Sequence, residues 1–197
     1  MRISASRACF SIAATFLFLL LYSWQSAPQP TAHAAGDFTL YVPLTLQGSD
    51  KSTISAAAQQ VLDLTNAERA KHGCAPLTIS SKLSAAAERH SADMALHDRF
   101  SHTGSDGSTP ATRLNDAGYG YTRLAENIAA GAATAEDVVG MWIRSDPHYR
   151  NMTNCDLHEI GIGFYYQSDD QATVRYDDGT AGNGPFYYYW TEDFGTP

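Results

Sequence analysis

Two histidines and one carboxylate stand out by their surroundings. His102 lies in the polar stretch 100–103, His148 in the polar stretch 145–151, and Glu126 inside the apolar segment 124–128. Both histidine stretches read as loops that follow helices, and loops are where binding and catalytic groups concentrate. A carboxylate in an apolar segment must find a partner or shift its pKa. Two imidazoles and one carboxylate are the donor set of an open zinc site whose fourth position holds water, and Glu126 could then act as general base of a hydrolase. The separations of 24 and 22 residues between the three form no local motif, so spacing alone does not establish such a site.

The remaining candidates have simpler readings. His72 and His97 fall at helix C-terminal ends, where a cation suits the dipole. His90 lies on a core-facing stripe and reads as a packed, hydrogen-bonded histidine, while His158 precedes a strand with no evident partner. Ser145 and His148 could pair as nucleophile and base, although residues three apart near a helix end often hydrogen-bond with no catalytic purpose. The chain has neither a Gly-x-Ser-x-Gly elbow nor a His-Glu-x-x-His helix. Asp169, Asp170, Asp177 and Asp178 do not follow the spacing of a calcium loop, and residues 167–185 read instead as a solvated hairpin insertion. The sequon at Asn151, Met152 and Thr153 reads as a chance match.

Helices and strands must hold these residues in place. Ala58, Val61, Leu62, Thr65 and Arg69 recur at helical spacing up to Gly73, and Leu83, Ala86, Ala87, His90 and Met94 form the stripe of a second helix that starts at Ser80 or Ser81. Ser108, Thr109 and Pro110 signal a short helix that Gly118 stops. Thr134 with Asp137 resembles a capping box before Val138, Met141 and Trp142, which makes four helices. The period then changes to two: Ile160, Ile162 and Phe164 alternate with glycines, and Phe186, Tyr188 and Trp190 alternate with Tyr187, Tyr189 and Thr191, so both runs are strands.

The 197 residues carry a net charge of −8, which disfavours nucleic acid because phosphate binding requires a basic face. Arg2 and Arg7 precede an uncharged run from Ala8 to Trp24, and Ala32, His33 and Ala34 form a small-residue cleavage site before Ala35. Residues 1–34 therefore read as a signal peptide, with a retained anchor as the alternative and the only route to a membrane. Residues 35–51 read as an extended arm or linker, and 52–197 as one domain of ordinary size. Once Cys9 leaves with the leader, Cys74 and Cys155 remain, an even pair expected to form one disulfide in an oxidising compartment, the alternative being two thiols in a metal site.

The run 64–69, the segments 87–94 and 100–102, Glu126 with Asn127 and Ile128, Trp142, His148 with Arg150 and Asn151, and 159–163 occur in an order that resembles a bacterial secreted CAP domain. This superfamily, also called SCP, comprises cysteine-rich secretory proteins, antigen 5 and pathogenesis-related 1 proteins, and the resemblance covers about residues 62–194. It implies an α+β fold, a three-layer α-β-α sandwich with a small antiparallel sheet between helices. It also implies a cleft with two histidines, matched by His102 and His148, and two glutamates, of which Glu126 matches one. Ser145 stands where the second glutamate usually lies, and it cannot hold a permanent charge, so affinity for zinc or another divalent cation should be lower. Cys74 and Cys155 match a cysteine pair often found in the bacterial form, and Arg150 and Asn151 should brace the His148 segment.

Family members differ widely in activity, so the resemblance fixes no single one. The preferred expectation is a secreted, extracellular, non-enzymatic module whose cleft binds a divalent metal or a small molecule, lipid or peptide. A zinc-dependent protease or esterase using His102, His148 and Glu126 is the alternative. Lipid or sterol capture is a third reading, suggested only by the aromatic residues of the two strands, for which core packing is the simpler explanation.

Overall fold

The computed structural model describes residues 55–197 except 172 and 177, and leaves aside the side chain of Asn183. The expected leader 1–34, the arm 35–51 and the first residues of the expected domain lie outside the described residues. The first helix, α1 (Ala56–Lys71), begins where the Ser55 side chain accepts a hydrogen bond from the Ala58 amide at 3.1 Å. It buries Ala58, Val61, Leu62, Thr65 and Arg69, the stripe expected from their spacing. Gly73 ends it in the left-handed region, φ +71°, and the Cys74 amide returns to the Arg69 carbonyl.

Helix α2 (Ser81–Leu96) buries Leu83, Ala86, Ala87, His90 and Met94 as expected. Helix α3 (Pro110–Asp116) is entered through a reciprocal cap between Thr109 and Thr112, and α4 (Ala135–Ile143) through Thr134, which accepts from the Asp137 amide. Met141, expected on the apolar face of α4, is instead 38% exposed. A fifth helix, α5 (Asp146–Met152), replaces the loop expected around His148. Its start follows the rule that proline suits the first helical turn, since Pro147 there gives up no needed donor. Only Met152 of its seven residues is buried, so it has no apolar stripe to announce it.

Seven strands complete the described chain: β1 (Thr78–Ile79), β2 (Arg99–Phe100), β3 (Arg123–Ala130), β4 (Glu159–Tyr166), β5 (Thr173–Tyr176), β6 (Ala181–Asn183) and β7 (Tyr188–Thr196). The main sheet runs β1-β4-β7-β3. Its three long strands are antiparallel, but β1 is parallel to β4, so the sheet is mixed rather than purely antiparallel. The expected hairpin insertion forms as β5 and β6, and β5 pairs in parallel with β2 to make a second sheet. That hairpin is more than a solvated excursion, because Val174 is fully buried.

Helix α2 crosses β4 and β7 on one side, while α1, α4 and α5 contact β4 or β3 on the other, which gives the α-β-α layering. Successive residues of β7 show the two faces: Thr191 accepts from Ser91 of α2 at 2.9 Å, and Glu192 accepts from Thr65 of α1 at 2.9 Å. Strand β7 is therefore buried on both sides. The glycines of β4 answer a packing need, since a Cβ at Gly161 or Gly163 would collide with the α2 backbone at Leu83 or Ala87. The α1 side holds the larger apolar cluster, with Val61, Trp142, Met152, Ile160, Trp190 and Phe194.

Cys74 and Cys155 are disulfide-bonded with Cα atoms 4.9 Å apart. The bond ties the end of α1 to the segment between α5 and β4, and closing a loop between cysteines 81 positions apart is worth about 4–5 kcal/mol on the chain-entropy model. Buried Arg69 reinforces the same neck by donating to the carbonyls of Ala75, Met152, Asn154 and Leu157.

Candidate functional site

Strand β3 places Glu126 and Asn127 side by side, and because a strand alternates they point to opposite faces of the sheet. Glu126 points toward α2. Its side chain is 2% exposed, and both oxygens accept hydrogen bonds: Oε1 from His102 Nδ1 at 2.7 Å and Oε2 from Arg113 Nη2 at 2.6 Å. Arg113, also buried, donates in addition to the backbone carbonyl of His102 at 3.0 Å and to Ser108. One guanidinium thus fixes the carboxylate and the turn that carries the histidine. Burial alone would raise the Glu126 carboxyl, but the His102 hydrogen bond and the charge and hydrogen bond of Arg113 hold it below the ordinary value.

Asn127 points toward α1 and holds the other histidine through its backbone. Its Nδ2 donates to the carbonyl of His148 at 3.1 Å and to Glu192 Oε2 at 3.3 Å, and its Oδ1 accepts from Asn151 at 2.9 Å. Asn151 also reaches the Glu126 carbonyl. Its side chain is thereby committed to bracing the site. Arg150, expected to share that task, is exposed in the last turn of α5. Glu192 is fully buried, and burial lifts its carboxyl to about 8 against the opposing hydrogen bonds from Thr65 and Asn127.

His102 and His148 meet at an open pocket of about 320 Å³ that is also lined by Phe100, Ile128, Tyr176 and Asp178. Burial, and next to it the neighbouring His102, lower the pKa of His148, so its imidazole favours the neutral form that can accept a proton or a cation. His102 keeps 44% of its side chain exposed. Ser145 does not line this pocket; it occupies the N-cap position of α5, where its side chain makes no capping bond.

His90 departs from its expected role. It is fully buried on α2 as foreseen, but neither ring nitrogen makes a hydrogen bond among the described residues, and its Nε2 lies 3.8 Å from Glu126 Oε1. Burial lowers it to about 4, so it stays neutral under the site. Asp193 lies directly across the sheet from Glu126 in the β3–β7 register and is fully buried. Burial, then the charge and hydrogen bond of Glu126, raise its carboxyl well above the usual range.

Arg113, His90, Asp193 and Tyr176 were not read as site residues from sequence. The signal for Arg113 was its place beside Leu114 on the inward side of a short capped helix. Asp193 lies beyond the alternating run 186–191 that marks the last strand, on a face of β7 that α2 covers. Among the described residues no group of three or more His, Cys, Asp or Glu side chains is arranged to hold a metal ion.

Residues 62–194 match the model of the cysteine-rich secretory protein family, CAP. Over 116 residues the chain is 38% identical to the uncharacterized protein YkwD of Bacillus subtilis, covering 59% of this chain and 45% of that protein. Over 113 residues it is 31% identical to the uncharacterized membrane protein YlbC of the same organism, covering 57% and 33%. The chain therefore spans less than half the length of either relative. An extracellular SCP-domain protein from Bacillus anthracis superposes with a TM-score of 0.58 at 26% identity, over 72% of this chain and 40% of that one. An outer surface protein from Borrelia burgdorferi shares the fold, with a TM-score of 0.54 at 20% identity over 70% and 90% of the two chains.

Proposed function

Since the chain belongs to the cysteine-rich secretory protein family, we propose that it is an exported, non-enzymatic binding module whose ligand, a divalent cation or a small molecule, sits between His102 and His148. The observation that carries this reading is the convergence of both imidazoles on one pocket, with His102 oriented through Nδ1 by Glu126. A carboxylate on one ring nitrogen sets the tautomer and directs the other nitrogen outward, the usual arrangement behind a metal-binding histidine. Export is supported by the leader motif, by the disulfide, and by similarity to an extracellular protein.

The residues present fit a cation such as zinc held by two imidazoles, His102 and His148, with remaining positions left to water or ligand atoms. They fall short of the three protein ligands of a catalytic zinc centre. A bound cation would supply positive charge to attract an anionic group. The hydrolase alternative needs Glu126 as base, yet both its oxygens already accept from Arg113 and His102. Lipid capture has less support, because Phe164 and Trp190 pack on each other with ring centroids 4.3 Å apart beside the core.

Calorimetric titration of zinc into the chelator-stripped protein tests the reading. One cation should bind, raise the unfolding temperature by mass action, and be lost in both His102→Ala and His148→Ala. No binding, or binding that neither substitution alters, would refute the cation site.

A further inference from the structure

We infer that Asp193 is a positioning residue of the cleft, a carboxylic acid that keeps its proton and donates it in a hydrogen bond to Glu126, the carboxylate that orients His102. The inference deepens the cleft reading, and rests on it only for its consequence at His102. Three observations carry it. Glu126 and Asp193 are direct partners in an antiparallel pair, so their side chains leave the same face of the sheet next to each other, under α2. Both are buried, and the one guanidinium beside them, Arg113, is hydrogen-bonded to Glu126. No donor among the described residues reaches either oxygen of Asp193, although buried Arg113 Nε is itself left without an acceptor.

Two ionised carboxyls facing one cation in a buried layer would leave an uncompensated charge, which is more costly than holding one proton. The remaining neighbour, His90, cannot supply a second cation, because burial keeps it neutral. Asp193 with its proton becomes a donor instead of an unmatched acceptor, and Glu126 is its acceptor. Glu126 is then fixed from three sides, by His102, Arg113 and Asp193. Without Asp193, Arg113 would be the one buried group holding the carboxylate against His102.

Infrared spectroscopy of the ligand-free protein at neutral pH tests this independently of any cation. The spectrum should contain the carbonyl stretch of an un-ionised carboxyl that Asp193→Asn removes and Glu192→Gln leaves in place. A second readout is the downfield proton resonance of His102 Nδ1. Asp193→Asn, whose amide still donates to Glu126, should keep it, whereas Asp193→Val should broaden or shift it. If the wild-type spectrum lacks any un-ionised carboxyl band, or Asp193→Asn leaves the spectrum unchanged, the proton is not on Asp193. If Asn and Val behave alike at His102, Asp193 does not position Glu126. Because Glu192 also keeps its proton at neutral pH, Glu192→Gln should still show one un-ionised carboxyl band; its absence there refutes a proton on Asp193 even where Asp193→Asn fails to fold.

Discussion

On the α2 side of the sheet, His102 is held by a charged chain that runs from Arg113 through Glu126 to its ring; on the α1 side, His148 is held by a neutral one, from Glu192 through Asn127 to its backbone carbonyl. The two chains start from adjacent residues of β3, and their backing residues, Asp193 and Glu192, are adjacent on β7. A shift of register by one residue would exchange every member between the faces. The charged side has only small apolar clusters around it, and it tolerates a buried carboxylate because Arg113 is there. The neutral side lies within the main apolar cluster, where Glu192 avoids charge by staying protonated. One strand pair thus sets two imidazoles at one pocket with different electrostatics behind each.

The largest effect should come from Arg113→Met. Removing the guanidinium strands the Glu126 charge, so urea unfolding should show a loss of about 3–5 kcal/mol. Asn127→Ala, the corresponding cut on the neutral side, should cost about 1–3 kcal/mol, the penalty for unmet hydrogen bonds. Equal losses would break the distinction between the faces.

The acid limb follows from His90. Its folded pKa of about 4 lies below the unfolded 6.5, so the unfolded chain takes up the proton first and stability falls as pH drops from 6.5 towards 4. The loss should be on the order of 3 kcal/mol, and His90→Leu should flatten it in pH-dependent unfolding curves.

Glu192 acts with the opposite sign. Its folded pKa of about 8 exceeds the unfolded 4.5, so the native state retains a proton the unfolded chain has released, and stability falls as pH rises from 4.5 to 8. Glu192→Gln, which stays neutral, should raise stability at pH 8 by about 1–3 kcal/mol and flatten the basic limb. The smallest effect is Asn151→Ala, expected to cost about 1 kcal/mol in urea unfolding through its lost bonds to Asn127 and to the Glu126 carbonyl.

Much of this arrangement was legible from residue patterns. The stripe of α1 appeared because a helix with one buried face repeats every 3.6 residues, and Glu126 stood out as a carboxylate in an apolar segment, though that segment was not read as strand β3. Helix α5 was not legible, because its single buried residue, Met152, leaves no period to detect. Asp193 was missed because it lies beyond the alternating run 186–191, in a part of β7 whose two faces are both covered. The wall of the pocket at Tyr176 depends on the pairing of β2 with β5, a contact between distant segments that no local pattern encodes. His102 and Glu126 could be named separately, but the hydrogen bond between them is a product of the folded chain.

The division of labour between Glu126 and Asn127 is tested most directly by nitrogen-15 NMR of the histidine side chains and of the His148 backbone. Glu126→Gln should shift the ring resonances of His102 and leave His148 within the line width, and Asn127→Ala should do the reverse. Variants that moved both histidines alike, or neither, would contradict a cleft whose two imidazoles are held from opposite faces of one sheet.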